Sequence, residues 1–277
     1  MVFLLDLLTT ASVLFIVTAG LMVIFGVMKI VNFAHGSLLT VGAYASLVIT
    51  QLKLSPWVGL PLAVVAGTAI GMVIERFIVR PLYKRPLDAI LATWGLGIVI
   101  GQLIVFAFGR EVQFVETPIK GAYAIAGTEY SAYRLILVPV AVLLAAALST
   151  LLTGTRYGIK TRAVVMNEDL ASGLGIHSDR IRFVTFSLGA GLGTLAGALI
   201  TPLSSVDPGM GLPWLVSAFM LVMVSGHSML SLLLTCAVFG ACQVLVSTHA
   251  SPVLGGLAIP VLAALTLRIR PKGFSRG

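Results

Sequence analysis

Charge is what this chain of 277 residues has least of: 10% of its residues are Asp, Glu, Lys or Arg. A soluble domain carries roughly 25%. So few charges cannot cover the surface of a soluble globule of this size. Cysteine is scarce as well. Cys236 and Cys242 share one apolar run. Six residues of helix turn through about 600°, so the two thiols face different ways. They make neither a metal pair nor a disulfide and read as small apolar fillers. No Lys or Arg precedes Lys29. The apolar start, with VTAG at 17–20, therefore lacks the charged region of a secretion signal and reads as a retained membrane helix.

Catalytic sets are missing too. His35, His177, His227 and His249 have no HExxH-type partner, and no Ser/His/Asp set is legible. Acid–base or nucleophilic chemistry within a membrane would need such groups at depth. GTRYGIKT places Gly154, Gly158, Lys160 and Thr161 at the wrong spacing for a phosphate loop. GLGTLA at 191–196 sits inside an apolar run with no strand before it, so it is no dinucleotide site. The ten carboxylates fall near the ends of runs or in loops, with Glu75 at the inner end of its run beside Arg76. Proton-driven carriers usually hold such groups inside the membrane, so that mechanism is disfavoured. No catalytic residue, metal or cofactor is expected, and the energy for any transport comes from a partner.

What is present is apolar length. Apolar residues make up 58% of the chain, and the mean hydropathy is +1.06. That excludes disorder. A helix needs about 20 apolar residues to cross the hydrocarbon. Candidate spans are 8–29, 35–52, 57–76, 88–108, 134–154, 183–204, 212–226, 229–248 and 252–268. The run at 35–52 begins at a polar break and the run at 212–226 is short. Either admits a re-entrant reading, so eight to nine transmembrane helices are expected. The fold class is all-α, a polytopic membrane helix bundle forming a single transmembrane domain over 1–277.

The net charge of +8 is gathered in short patches between apolar runs, so it reports topology rather than a nucleic-acid partner. Fourteen of the eighteen basic residues fall at Lys29, in 76–85, in 156–182 and in 268–276. Only Lys53, Arg110, Lys120 and Arg134 fall in the alternate segments. Positive charge gathers on the cytoplasmic side. This predicts an outer N-terminus, a cytoplasmic C-terminus and nine crossings. The outer loop 109–133 is the expected outer docking surface. Gly189, Gly193 and Gly197 repeat at four and share a helix face, which predicts close helix packing in lipid.

Two segments carry more. VNFAHGS at 31–37 sets Asn32, His35 and Ser37 around Gly36 between two apolar runs. Unwound backbone in a membrane is tolerated where it lines a cavity, so this is either a broken helix on a path or a simple loop with His35 at the interface. The loop 155–182 contains VVMNEDLASGLGI. Asn167 can cap a short helix whose first turn holds Glu168 and Asp169, with Gly173 and Gly175 ending it. A short amphipathic helix on the cytoplasmic face suits docking of a partner; the alternative is a solvated connector.

Together these pieces resemble the LivH-type permeases of ATP-binding cassette importers, the branched-chain amino-acid and urea/amide uptake group. The matching residues are GLMVIFGVMKIVNFAHGSLLTVGAY, RPL, ATWGLG, RYGIKTRAVVMNEDLASGLGI, LGAGLGTLAGAL, SSVDPGMG and LRIRPKGF, in that order along nearly the whole chain. The resemblance implies that Asn32, His35, Gly36, Ser37 and Trp94 belong to the translocation path. It makes 167–176 the coupling helix seated in a cytoplasmic ATPase, with Asn167, Glu168, Asp169, Ala171, Leu174 and Gly175 its coupling residues. It further implies two ATP-binding cassette subunits, a second homologous permease, a periplasmic substrate-binding protein and a lipid-embedded place in a bacterial inner membrane. ATP would be bound by the partner subunits. The chain departs from the family in VSGHSMLSLLLTCAVFG, where Ser225 and His227 stand at positions usually held by glycine. ATWGLG, with Trp94, is closer to the urea branch. A stand-alone channel or secondary carrier is the alternative of a different class.

Overall fold

The computed structural model describes residues 2–125, 128–226, 228–271, 273 and 274. His227, Lys272 and Arg276 lie outside the described residues. The helices are α1 (Val2–Met28), α2 (His35–Gln51), α3 (Pro56–Ile74), α4 (Pro86–Phe108), α5 (Ala132–Gly154), α6 (Arg156–Met166), α7 (Glu168–Gly173), α8 (Ser178–Ile200), α9 (Gly211–Ser225), α10 (Met229–His249) and α11 (Pro252–Ile269). Local chemistry sets many of their starts. Pro opens α3, α4 and α11, where its missing N–H costs nothing. Ser228, Ser251, Thr155 and Asn167 cap α10, α11, α6 and α7 with their side-chain oxygens.

Among the described residues seven helices are long and apolar enough to cross a membrane: α1, α3 extended to Leu82, α4, α5, α8 extended to Leu203, α10 and α11. The two remaining apolar runs form α2, with 17 residues, and α9, with 15. At 1.5 Å per residue these are about 25 and 22 Å long, short of the ~30 Å hydrocarbon core.

Their placement explains the shortness. Lys29, with φ +53°, turns the chain at the end of α1. His35 Nε2 then lies 3.3 Å from the Val17 carbonyl oxygen. Val17 is eleven residues before Met28, about 16 Å back along α1. Residues 29–34 therefore retrace half of α1 without helix, and α2 begins half-way along it. After α8 and the 3-10 turn Thr201–Leu203, residues 204–210 likewise return into the bundle without helix. Gly211 then meets Gly36 so closely that a Cβ on Gly211 would overlap the Gly36 carbonyl oxygen. Only glycine fits at this pair. Both short runs are half-helices whose starts meet inside the bundle.

Around this meeting point α8 packs on α1, α2 and α3. Gly189 lies against Ile24, Gly193 against the His35 ring and Gly197 against the Leu39 backbone. Cys236 is buried and Cys242 half-buried, and both are free thiols.

Two features differ from the apolar-run reading. First, the run at 57–76 does not end its helix. A π turn, Glu75–Val79, and a 3-10 turn, Arg80–Leu82, extend it. The charged residues that ended the apolar run lie on a continuing helix, and Glu75 is fully buried rather than at a run end. Second, the loop 109–133 is not featureless. It carries a hairpin of β1 (Ala122–Ile125) and β2 (Thr128–Ser131). Gln113 and Val206 exchange two backbone hydrogen bonds of 2.8 Å, tying this loop to the return segment 204–210. Tyr130 donates to Asp6 at 3.0 Å and pairs with Thr9 at 2.8 Å, which pins the hairpin to the start of α1.

Candidate functional site

The two half-helix starts open onto a cavity of about 350 Å³. Gly36, Ser37 and Thr40 of α2 form one wall, after Phe33 of the return segment. Trp94, Gly97, Ile98, Gly101, Gln102 and Val105 of α4 form the second, and Pro208, Gly209, Leu212 and Leu215 the third. Ser37 Oγ donates to the Gly97 carbonyl at 3.0 Å, so the hydroxyl fastens α2 to α4. Thr40 Oγ1 donates to Gly36 O at 3.2 Å. None of these lining side chains is ionised. The cavity combines a few hydroxyls, an amide and backbone dipoles with apolar walls, the composition of a site for a small solute of low net charge. Its α4 wall is open: Trp94 is 58% exposed and Gln102 is exposed.

Gly36, Ser37 and Trp94, expected on the path, line this cavity. Asn32 and His35 do not. His35 is fully buried, not interfacial, and its ring fills the space between α1 and α8 that Gly20 and Gly193 leave. Among the described residues its Nδ1 has no hydrogen-bond partner. Asn32 is buried in the return segment; Oδ1 accepts from Ala34 N at 3.1 Å, and Nδ2 has no partner among the described residues. Thr40, Gln102 and Gly209 were not foreseen. Gln102 could have been, as the one amide in the apolar run 88–108. Gly209 could not, because a return segment looks like a loop in sequence.

The second site is α7. Asn167 Oδ1 accepts from Leu170 N at 2.9 Å, and Gly175, at φ +79°, turns the chain out of the helix. Glu168 and Asp169 occupy the first turn. Ala171 is 2% exposed and packs inward in a cluster with Val164 and Ile181. The outward side carries exposed apolar groups: Leu170 and Leu174, 63% and 73% exposed, lie one turn apart on α7 and at its C-terminal end, and Met166, at the end of α6 before the extended Asn167, is 87% exposed. Exposed apolar side chains gathered in this way form a ridge open to a partner. Thus Leu174 projects outward, whereas Ala171 anchors the helix.

A polar network fastens α7 to the bundle. Arg182 of α8 donates to Glu168 at 2.6 Å. Its guanidinium also lies 4.7 Å from the centre of the Tyr83 ring. Tyr83 Oη donates to Glu75 at the π turn, and Arg80 pairs with Asp179. Burial, then the hydrogen bond to Glu75, push the Tyr83 phenol up and keep it a donor. These contacts connect α7 to α8 and to the end of α3.

Comparison with known proteins places the chain in a family. The family model described as branched-chain amino acid transport system / permease component matches residues 3–267. The high-affinity branched-chain amino acid transport system permease protein LivH of Salmonella typhimurium is 25% identical over 96% of this chain and 92% of that protein. LivH of Escherichia coli K12 is 26% identical over the same shares. BraD of Pseudomonas aeruginosa, a permease protein of the same named system, is 25% identical over 79% of this chain and 76% of its own. A solved structure described as PsaBC from Streptococcus pneumoniae in complex with Fab has the same fold, with TM-score 0.56 and 15% identity over 98% of this chain and 93% of that one.

Proposed function

The chain belongs to the branched-chain amino acid transport system / permease component family, and from that premise we propose that this ATP-binding cassette importer permease passes branched-chain amino acids, or closely related small polar solutes, through the cavity between α2, α4 and α9. The observation that carries the reading is the un-ionised cavity where two half-helix starts meet. A zwitterion carries no net charge, so a path without ionised groups neither traps nor repels it, while the hydroxyls, the amide and the backbone dipoles offset the lost hydration of its two charged ends.

One ATP-binding cassette subunit docks on the Met166–Leu170–Leu174 ridge of this chain, and a second docks on the matching ridge of the partner permease. Their closure on ATP moves α7, and the Glu168–Arg182–Tyr83 network carries that motion into α8 and α3. This chain supplies no ATPase site of its own. The open α4 wall supports a second homologous permease closing the path between the two subunits. A periplasmic binding protein delivers cargo on the hairpin side. The basic patches support an outer N-terminus and a cytoplasmic C-terminus.

Uptake of labelled leucine and labelled urea is compared in cells with and without the chain. A leucine deficit alone is expected. A urea deficit alone would move the cargo to the short-amide class. Gln102→Leu should lower uptake without loss of assembly; full uptake in that variant would remove the cavity from the path.

A further inference from the structure

A groove of about 730 Å³ runs between the end of α3 and the start of α8, outside both sites above. Its lower part is apolar: Met72, Val73 and Phe77 from α3 and Phe183 from α8. Its rim is basic, with Arg76, Arg80 and Arg180. Met72, Arg76 and Arg80 follow each other at intervals of four, along about 12 Å of helix. That length is close to one leaflet of a ~30 Å hydrocarbon core. One wall belongs to a helix long and apolar enough to cross the membrane, and so does the other. The groove therefore descends from the polar boundary into hydrocarbon.

The charges at the rim do not cancel. Arg80 is paired with Asp179. Among the described residues neither Arg76 nor Arg180 has a carboxylate within ion-pair distance. His177, also on the rim, adds a further donor. Glu75 does not offset them in the groove, because it is buried behind it and accepts from Tyr83. An occupant must match two unpaired guanidiniums above and exposed Phe77, Val73 and Met72 below. A soluble domain reaches the rim but not the apolar floor. An apolar helix covers the floor but leaves the guanidiniums unmet.

We propose that this groove binds an anionic phospholipid, its phosphodiester between Arg76 and Arg180 and an acyl chain along Met72, Val73, Phe77 and Phe183. Basic grooves between helices at a membrane boundary hold anionic headgroups in this way. Because the groove borders the first turn of α8, next to α7, the bound lipid stiffens the joint through which α7 acts.

The test uses the full chain in its complex, purified in detergent and equilibrated with dioleoyl phosphatidylglycerol or dioleoyl phosphatidylcholine, with retained lipid counted by native mass spectrometry. Preferential retention of phosphatidylglycerol is expected, falling roughly twenty-five-fold in the R76Q/R180Q double variant at about fivefold per lost arginine. Lys160→Gln, on the exposed face of α6, should leave retention unchanged. Equal retention of the two lipids, or an unaltered double variant, would overturn the proposal. So would retention lost equally in Lys160→Gln, which would reduce it to general surface charge. Equal competition by glycerol phosphate would show that the apolar floor is not used and would overturn the lipid assignment. Loss of the ATPase subunit from the double variant with lipid retention intact would assign the rim to the ATPase instead. None of these readouts depends on the identity of the transported solute.

Discussion

α4 and α8 are both 23-residue apolar helices, and α4 is the more apolar of the two. Yet 78% of the α8 span is buried within the chain and only 17% of the α4 span. In water the more apolar helix would be inside. In lipid no such drive separates the two, and close packing decides. α8 presents Gly189, Gly191, Gly193 and Gly197 with Ala190, Ala196 and Ala198, so α1, α2 and α3 approach its backbone. α4 presents Leu91, Trp94, Ile98, Val99, Leu103 and Phe106, all exposed. Small residues mark the centre of this bundle, and large ones mark its edge and the open wall of the path.

Glycine replacement sharpens that comparison most. Gly197→Leu would drive a side chain into the Leu39 backbone, and overpacking of this kind costs about 1–3 kcal/mol or more. We expect no monodisperse protein on size exclusion after detergent extraction. Gly95→Leu on α4 meets nothing within 4 Å and should extract normally. Gly101→Leu also meets nothing within 4 Å but faces the cavity, so the protein should fold while solute uptake falls at least about tenfold, the equivalent of roughly 1.4 kcal/mol on the path. A normally transporting Gly101→Leu would break the distinction between the two helices.

The next effect concerns α7. Leu170→Asp and Leu174→Asp place charge on the exposed ridge and should reduce ATPase co-purification by about tenfold while the permease itself remains extractable. Ala171→Asp, by contrast, puts a charge in the inward cluster, and its expected phenotype is loss of the folded loop, read as protease cleavage within 155–182. If Leu170→Asp and Ala171→Asp behave alike, the two faces of α7 are not functionally distinct.

A smaller change is expected from Arg182→Gln. The Arg182–Glu168 pair is partly exposed, and such pairs contribute about 0.2–1 kcal/mol. ATP hydrolysis should persist, with fewer solutes moved per ATP. A double-mutant cycle with Glu168→Gln should show coupling; strict additivity would remove the pair from the relay.

The smallest is a pH effect at the hairpin. Burial, and then the neighbouring Asp6, hold the Tyr130 phenol above its ordinary value of about 10. A raised acid of this kind stabilises the fold in its neutral form, fully below pH ~10, and that contribution fades as pH rises further. Wild type should thus lose hairpin anchoring as the pH rises above about 10, and Tyr130→Phe should show no such step, measured as thermal unfolding against pH.

Much of the bundle was legible in the amino-acid order because a helix crossing lipid must be apolar along its whole length. The run read as 212–226 is the helix Gly211–Ser225, and the cap at Asn167 forms as its side chain requires. The end of α3 was not legible. Glu75, Arg76 and Arg80 look like a loop at a boundary, but the π turn and the bonds to Tyr83 and Asp179 let the helix continue. Neither was the burial of His35, since its neighbours Val17, Gly20 and Gly193 are distant in sequence.

By itself, then, the sequence determined that the chain lives in lipid, which segments are helical, and where its small-residue face lies, because these follow from local composition and period. Only the tertiary structure decided that residues 29–34 and 204–210 turn back into the bundle, that Gly36 meets Gly211, and that an un-ionised cavity opens there. The physical reason is that a non-helical segment at depth is tolerable only when other parts of the protein satisfy its backbone, and those parts are remote in the chain.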